Sequence, residues 1–242
     1  MKVGTDGVLL GAWTELPAEP AAGQLKSSSV KKCLDIGTGS GVIALMLAQK
    51  LYLGKIGNSE NITIDAIDSD EFSCTQAREN IDSSKFKGKI NVLHQSLHQF
   101  LEKANQKSYD LIVSNPPYFN KSLKSPDVNR NRARHSDISE LPSEDLISST
   151  LKLLKRDGKF SLILPKTEGE NFIIEAKKSF LYCNKLTRVI PKPGKECIRL
   201  LMEFQLFAMP LKENTLTIET GKSPNDFTEE YILLTKDFYL KF

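Results

Sequence analysis

The segment Asp35-Ile-Gly-Thr-Gly-Ser-Gly41 constrains the fold more than any other part of the sequence. It follows a predicted strand at residues 30–36 and precedes a predicted helix whose apolar residues form a wide buried face. The glycines allow the backbone to turn sharply and to approach a ligand closely. A strand, a glycine-rich turn and a helix in this order form the first half of a nucleotide-binding unit in an open, largely parallel α/β sheet.

The acid before the first glycine narrows the choice of ligand. Dinucleotide-binding enzymes carry G-x-G-x-x-G and place a pyrophosphate on the helix N-terminus. The Asp35 carboxylate would repel a pyrophosphate, but it would pair with an ammonium group, as at the amino-acid end of S-adenosylmethionine. A purely structural turn is the alternative. The pattern predicts these cofactor-binding residues: Asp35, Gly37, Thr38, Gly39 and Gly41.

Two further strand ends carry polar residues that suit a nucleoside. A second strand at residues 61–67 ends at Asp68, and an acid at this point commonly binds ribose hydroxyls. The alternative is that Asp68 or Asp70 caps the helix at residues 71–82, a role we assign to Asp70. A third strand at residues 90–93 leads to Gln95 and Ser96, where an adenine ring would find polar partners.

The tetrapeptide Asn115-Pro-Pro-Tyr118 follows a strand at residues 109–114 and forms the predicted catalytic site. Asn115 offers a side-chain acceptor, and the prolines stiffen the turn so that the Pro116 carbonyl becomes a second, fixed acceptor. Tyr118 offers a flat face for stacking. Two acceptors beside a stacking surface suit a planar substrate that bears an NH₂ group, and Asn115 also borders the cofactor. A turn with an incidental asparagine is the alternative.

The remaining pattern predicts the rest of an α/β domain that spans residues 1–242. A short helix begins near Gly7, capped by Thr5 or Asp6, and a loop covers residues 14–31. Ser143 caps a helix that reaches residue 155 and ends at Asp157-Gly158. A strand at 159–164, a helix at 170–179, an antiparallel pair at 186–190 and 199–207 and a C-terminal helix within 230–242 follow. We therefore expect a mostly parallel, seven-stranded sheet with helices on both faces.

Composition restricts the class of protein. Hydrophobic residues make up 40% of the chain and the net charge is +3, which is ordinary for a globular domain and neither requires nor excludes nucleic acid. Four scattered cysteines lack metal-ligand spacing, which favours a reducing, cytoplasmic setting and no metal site. No apolar run reaches the ~18 residues of a membrane span, so no membrane partner is expected.

The segment at residues 119–142, directly after the tetrapeptide, is polar and basic. Its position beside the predicted catalytic turn suggests contact with phosphates, although a solvated surface is an equal alternative. The candidate RNA-binding residues are Lys121, Lys124, Arg130, Arg132, Arg134 and His135.

Taken together, these motifs resemble the class I S-adenosylmethionine-dependent methyltransferases that modify planar nitrogens. The opening Met1-Lys-Val-Gly-Thr-Asp-Gly-Val-Leu-Leu-Gly-Ala-Trp13 is similar to that of bacterial tRNA adenine-N(6) methyltransferases, which act on the adenine 3′ of the anticodon in a valine tRNA. The resemblance implies a Rossmann-like fold, S-adenosylmethionine as cofactor, tRNA as partner, a monomer, and Thr5 and Asp6 as further cofactor-binding residues. The alternatives are a glutamine N5-methyltransferase acting on a translation factor and a non-catalytic cofactor-binding protein.

Two departures from the family pattern stand out. The family usually carries an aromatic-rich segment ahead of the opening motif, so an upstream segment is expected to be missing. Ser96 stands where relatives often have an acid near the adenine of the cofactor. Adenine binding here would rest on backbone groups, Gln95 or Ser96.

If the basic segment binds the phosphates of the tRNA backbone, the double substitution Arg130→Ala and Arg132→Ala should weaken tRNA binding. It should also reduce the slope of log K against log salt by up to ~2 units, because fewer phosphates are neutralised. Filter binding over a range of salt concentrations measures this, and cofactor affinity serves as the unaffected control. Equal slopes for the variant and the parent would assign the segment to a solvated surface.

Overall fold

The structure, a computed structural model, describes residues 4–16, 32–53, 62–117 and 141–239. It has an eight-stranded sheet. The strands are β1 (Lys32–Ile36), β2 (Thr63–Asp68), β3 (Ile90–His94), β4 (Tyr109–Ser114), β5 (Leu154–Pro165), β6 (Tyr182–Ile190), β7 (Arg199–Gln205) and β8 (Lys212–Thr217). Within the described ranges the helices are α1 (Thr5–Trp13), α2 (Val42–Leu53), α3 (Glu71–Asp82), α4 (Leu97–Lys103), α5 (Ser143–Leu153), α6 (Lys166–Lys178) and α7 (Glu229–Thr235).

The strand order is β3-β2-β1-β4-β5-β7-β6-β8. Strands β1 to β5 pair in parallel, β7 lies antiparallel to both β5 and β6, and β8 is parallel to β6. The chain moves outward from β1 to β3 and then returns to place β4 on the other side of β1. This reversal makes the carboxyl ends of β1 and β4 a switch point, where open α/β sheets form their ligand crevice.

Apolar side chains cover both faces of the sheet, as the sequence predicts. On one face, α1, α2, α3 and α7 contribute buried residues to a core that includes Leu9, Leu47, Ile81 and Tyr231. On the other face, α4, α5 and α6 do so through Phe100, Leu146, Phe172 and their neighbours. All six residues of β4 are buried, so the strand that precedes the predicted catalytic turn is rigidly held.

The sheet has eight strands rather than the predicted seven, and the additional strand is β8. The first four residues of β8 are exposed, and only Leu216 is buried. An edge strand with this little burial shows no alternation of apolar and polar residues, which is the signal that predicts strands.

Several predicted element boundaries are wrong. Neither Thr5 nor Asp6 caps α1, since Gly4 is the N-cap and no side chain accepts there. Helix α5 likewise begins at Ser143 after Pro142, again without a side-chain cap. Asp157-Gly158 lie within β5 rather than ending a helix. Leu154 already pairs with Tyr109, and a register shift at Tyr109 accommodates the turn-like sequence.

Other local predictions are confirmed. Asp70 caps α3, with its carboxylate accepting from the Ser73 backbone N–H at 2.9 Å. The C-terminal segment forms α7, capped by Thr228. Two further boundaries were predicted wrongly, because α6 begins at Lys166 rather than at residue 170 and β6 begins at Tyr182 rather than at residue 186.

Helix α1 is packed closely onto α2. A side chain at Gly11 would approach the Met46 sulfur to 2.6 Å, so only glycine fits without a shift of Met46. At the C-terminal end of α1, the Lys50 ammonium donates to the carbonyls of Ala12 and Thr14 at 2.6 and 2.7 Å. Trp13 Nε1 donates to Thr187 Oγ1 of β6 at 2.9 Å. The N-terminal motif is therefore anchored against the sheet.

No helix in the described ranges is long and apolar enough to cross a membrane. In the same part of the chain, no three His, Cys, Asp or Glu side chains converge as they would around a metal ion.

Candidate active site

The carboxyl ends of β3, β2, β1 and β4 lie side by side and bring the predicted site residues to one edge of the sheet. Ile36 at the end of β1 is level with Ile67 in β2 and with Ser114 in β4. The Gln95 backbone N–H, just beyond β3, donates to the Asp68 carbonyl at 2.9 Å. The structure thus gathers the strand ends that carry Asp35, Asp68, Gln95 and Asn115, which lie far apart in the sequence.

The glycine turn is fixed by backbone hydrogen bonds to β2. The N–H groups of Gly37 and Thr38 both donate to the Ile67 carbonyl, at 2.9 and 3.0 Å. Gly37 has φ of 73°, and a side chain placed there would meet no atom within 4 Å. The backbone conformation therefore favours glycine at this position, and open space lies above it.

Gly41 has a different role in the same turn. Its φ is 81°, and a side chain there would approach the Ala77 Cβ of α3 to 3.2 Å. Gly41 therefore allows the start of α2 to pack against α3. Of these two glycines, Gly37 borders space that a ligand could fill, whereas Gly41 serves packing.

Asp35 is fully buried behind the turn. Its Oδ2 accepts from the Thr38 hydroxyl at 2.7 Å, and its Oδ1 has no hydrogen-bond partner among the described residues. Burial raises the pKa of Asp35 to about 7, and the nearby Asp68 carboxylate acts in the same direction. Donation from Thr38 and from the Ala44 backbone N–H opposes the rise in pKa. A cation near Oδ1 would stabilise the charged form.

Asp68 ties the glycine turn to the end of β2. Its Oδ2 accepts from the Gly39 N–H at 2.8 Å, and its Oδ1 accepts from the Asp70 N–H at 2.9 Å. Each carboxylate oxygen has a second lone pair, so these bonds leave capacity for ribose hydroxyls. Ser96 is already used locally, because its hydroxyl caps α4 in a reciprocal capping box with Gln99. Gln95 is thus the better placed of the two for an adenine ring.

Asn115 lies half-buried directly after β4, and its Oδ1 is a buried acceptor with no partner among the described residues. The Ser114 hydroxyl donates to the Ile36 carbonyl at 2.9 Å and so fixes this strand end against β1. Pro116 is buried and Pro117 is exposed. Tyr118 lies outside the described residues, as do Lys121, Lys124, Arg130, Arg132, Arg134 and His135.

The first turn of α1 closes one side of the site. A side chain at Gly7 would lie 3.9 Å from Asn115 Nδ2 and 3.3 Å from Val42 Cγ1, so this turn lies directly beside Asn115. Thr5 is exposed there, and Asp6 accepts from Arg199 Nε at 2.9 Å. Arg199 was not predicted from the sequence, since 193 residues separate the pair and no local pattern links them.

Comparison with known proteins identifies the group to which this arrangement belongs. The family model described as methyltransferase small domain matches residues 21–188. The chain belongs to this family.

Methyltransferases with closely similar sequences cover the whole chain. A Trichodesmium erythraeum protein named tRNA1(Val) (adenine(37)-N6)-methyltransferase is 41% identical over 242 residues, which span 100% of this chain and 92% of the relative. A Parabacteroides distasonis protein of the same name is 43% identical over 244 residues, with the same coverage. A Haemophilus influenzae protein, also of that name, is 37% identical over 242 residues, covering 100% of this chain and 93% of the relative.

Solved methyltransferase structures share the fold. An Agrobacterium tumefaciens protein described as a predicted O-methyltransferase superposes with a TM-score of 0.67 at 18% identity, covering 96% of this chain and 95% of that one. A Listeria monocytogenes protein assigned to the class I S-adenosylmethionine-dependent methyltransferases gives a TM-score of 0.54 at 15% identity, covering 83% and 62% of the two chains. At these identities the likeness shows a common architecture.

The cofactor of this methyltransferase is S-adenosylmethionine, and the site residues fit it. The space above Gly37 would admit a ligand, and the unpartnered Oδ1 of Asp35 suits an ammonium group. Asp68 would hold the ribose hydroxyls. Since Asp35 is fully buried, its direct pairing with the ammonium stays a prediction.

A pH titration tests the role of Asp35. With its pKa at about 7, the carboxyl is mostly neutral at pH 6 and charged at pH 8. The affinity for S-adenosylhomocysteine, measured by calorimetry, should therefore rise with pH across this range in the parent. In Asp35→Asn the affinity should be lower and should not change with pH. This variant keeps an acceptor for Thr38 and leaves every histidine of the chain in place.

The pH dependence of the free energy of unfolding, measured without ligand, is a second test of Asp35. Because the folded pKa lies above the ordinary value of 3.8, the folded state holds the Asp35 proton more tightly. Protonated Asp35 therefore adds to the free energy of unfolding below pH 3.8, and this stabilisation is lost as the pH rises through about 7. If parent and Asn variant bind the ligand identically at every pH, Asp35 serves only the turn.

Proposed function

We propose that this methyltransferase transfers a methyl group from S-adenosylmethionine to the exocyclic N6 of adenine 37 in tRNA1(Val). The observation that carries the proposal is the unpartnered acceptor Asn115 Oδ1, which lies at the switch-point edge beside the glycine turn. The names of the relatives that match the whole chain support the choice of substrate. We also propose that the enzyme acts in the cytoplasm, where tRNA is modified, and as a monomer.

Methyl transfer to adenine requires the protein to orient a weak nucleophile. The exocyclic amine of adenine has its lone pair delocalised into the ring, and the bound cofactor supplies an electrophilic methyl group on a sulfonium. Asn115 Oδ1 would accept one N–H of the amine, and the Pro116 carbonyl would accept the other. Holding both protons favours the tetrahedral nitrogen and directs its lone pair toward the methyl carbon.

The same two acceptors stabilise charge as the reaction proceeds. As the new N–C bond forms and the S–C bond breaks, positive charge develops on the nitrogen next to the two oxygens. The extra proton leaves the nitrogen after transfer, so no general base is needed beforehand. We further propose that Tyr118 stacks on the extruded base, since enzymes that modify a base commonly take it out of the stack.

Substitution of Asn115 tests this mechanism. Asn115→Ala removes one acceptor and should slow single-turnover methylation of unmodified valine tRNA by ~10²–10³, the usual loss for one preorganised hydrogen-bonding group. The affinity for tRNA should change little, because phosphate contacts dominate it. Asn115→Asp retains an acceptor and should keep part of the activity.

The matched control is Asn91→Ala, which removes an asparagine that binds Asp65 within the sheet at 3.0 Å, away from the site edge. It should methylate at the parent rate. Assays with a release factor and with DNA, run in parallel, separate the proposed substrate from other planar nitrogens. Transfer by Asn115→Ala at the parent rate would remove the tetrapeptide from the mechanism.

A further inference from the structure

One ion pair joins the N-terminal helix α1 to strand β7 next to the active site. Arg199, the first residue of β7, donates from Nε to Oδ2 of Asp6 in the first turn of α1, at 2.9 Å. The side chains are only 26% and 19% exposed, so the pair is partly shielded from water and from salt. Asp6, one of the expected cofactor-binding residues, is therefore paired with an arginine.

The arginine is itself fixed to the sheet. Its Nη1 donates to the Ile198 carbonyl at 3.0 Å, and Arg199 pairs with Pro165 at the end of β5. Strand β5 is the direct neighbour of β4, whose end carries Asn115. Arg199 therefore connects α1 to the same edge of the sheet that holds the catalytic turn.

The first turn of α1 depends on such a connection. Gly4 is its N-cap, and no side chain caps the turn. The anchors formed by Lys50 and Trp13 lie at the other end of the helix, about 12 Å away for a nine-residue helix at 1.5 Å per residue. Those contacts fix the C-terminal end, while the Asp6 pair fixes the end beside Asn115.

The position of this turn affects how Asn115 is presented. A Cβ added at Gly7 would lie 3.9 Å from Asn115 Nδ2, and Oδ1 of the same amide has no partner among the described residues. Displacement of this amide would move Oδ1 away from the substrate amine. The first turn of α1 occupies the space on the Nδ2 side and so limits such displacement.

We propose that Arg199 is a positioning residue for methyl transfer. By pairing with Asp6 it holds the first turn of α1 beside Asn115 and so limits displacement of the amide that carries Oδ1. This role rests on the proposed function and adds to it a residue remote in sequence. It predicts an effect on the rate of transfer at saturating cofactor and tRNA, with little effect on the binding of either.

The test is a double-substitution cycle in the full chain. Arg199→Gln and Asp6→Asn should each lower the single-turnover rate about tenfold. The double variant should be no slower than either single variant, because all three lose the same contact. Arg199→Lys should retain most of the rate, since an ammonium also pairs with Asp6. Affinity of Arg199→Gln for S-adenosylhomocysteine and for tRNA should stay within about twofold of the parent.

The matched control is Arg188→Gln, which breaks ion pairs with Glu170 and Glu213 on the sheet surface and should leave the rate unchanged. Additive losses in the double variant, or parent-rate transfer by Arg199→Gln, would overturn the proposal. So would a loss confined to cofactor affinity, which would make the first turn of α1 a binding element instead.

Hydrogen exchange separates this proposal from the proposed function. In the protein without ligand, Arg199→Gln should speed exchange of the Val8 and Leu9 amides more than that of the Thr14 amide, which bonds to Leu10 at the other end of α1. Unchanged exchange at Val8 and Leu9 would overturn the anchoring role whether or not tRNA is the substrate. A parent protein that leaves tRNA unmethylated, with the exchange difference present, would overturn the proposed function alone.

Discussion

The pair of hydrogen bonds from Gly37 and Thr38 to the Ile67 carbonyl is the constraint on which the active site depends. These bonds carry the chain from the end of β1 across the end of β2, so that α2 starts above the sheet edge. The positive φ of Gly37 permits this path, and the Asp68 carboxylate secures it through Gly39. The turn is therefore held by hydrogen bonds within the protein itself.

Buried acceptors without partners mark the same edge. Asp35 Oδ1 and Asn115 Oδ1 both lack hydrogen-bond partners among the described residues, and Asp35 is a fully buried carboxyl. Such groups destabilise a folded protein unless something satisfies them. Both lie at the switch point, where a bound ligand would satisfy them, while other buried hydroxyls in the described chain, such as Thr150 Oγ1 and Ser161 Oγ, also lack partners.

Contacts between the two ends of the chain complete the site. Helix α1 packs against α2 and the C-terminal segment, and its Leu9 shares a core with Tyr231 of α7. Gln49 of α2 also donates to the Asp237 carbonyl of the C-terminal segment, at 2.7 Å. Helix α1 is thus held by residues from the first and last thirds of the sequence.

The sequence by itself determined the elements that depend on neighbouring residues. Three features were predictable: the glycine turn, the Asp70 cap and strand β4 with its Asn-Pro-Pro end. Each depends on the conformational preferences or the apolar pattern of residues close together in the sequence. Only the tertiary structure decided the edge strand β8, the Asp6–Arg199 pair and the raised pKa of Asp35. Edge pairing, contacts across 193 residues and burial in a low-dielectric interior arise only when distant segments meet, so no local pattern could reveal them.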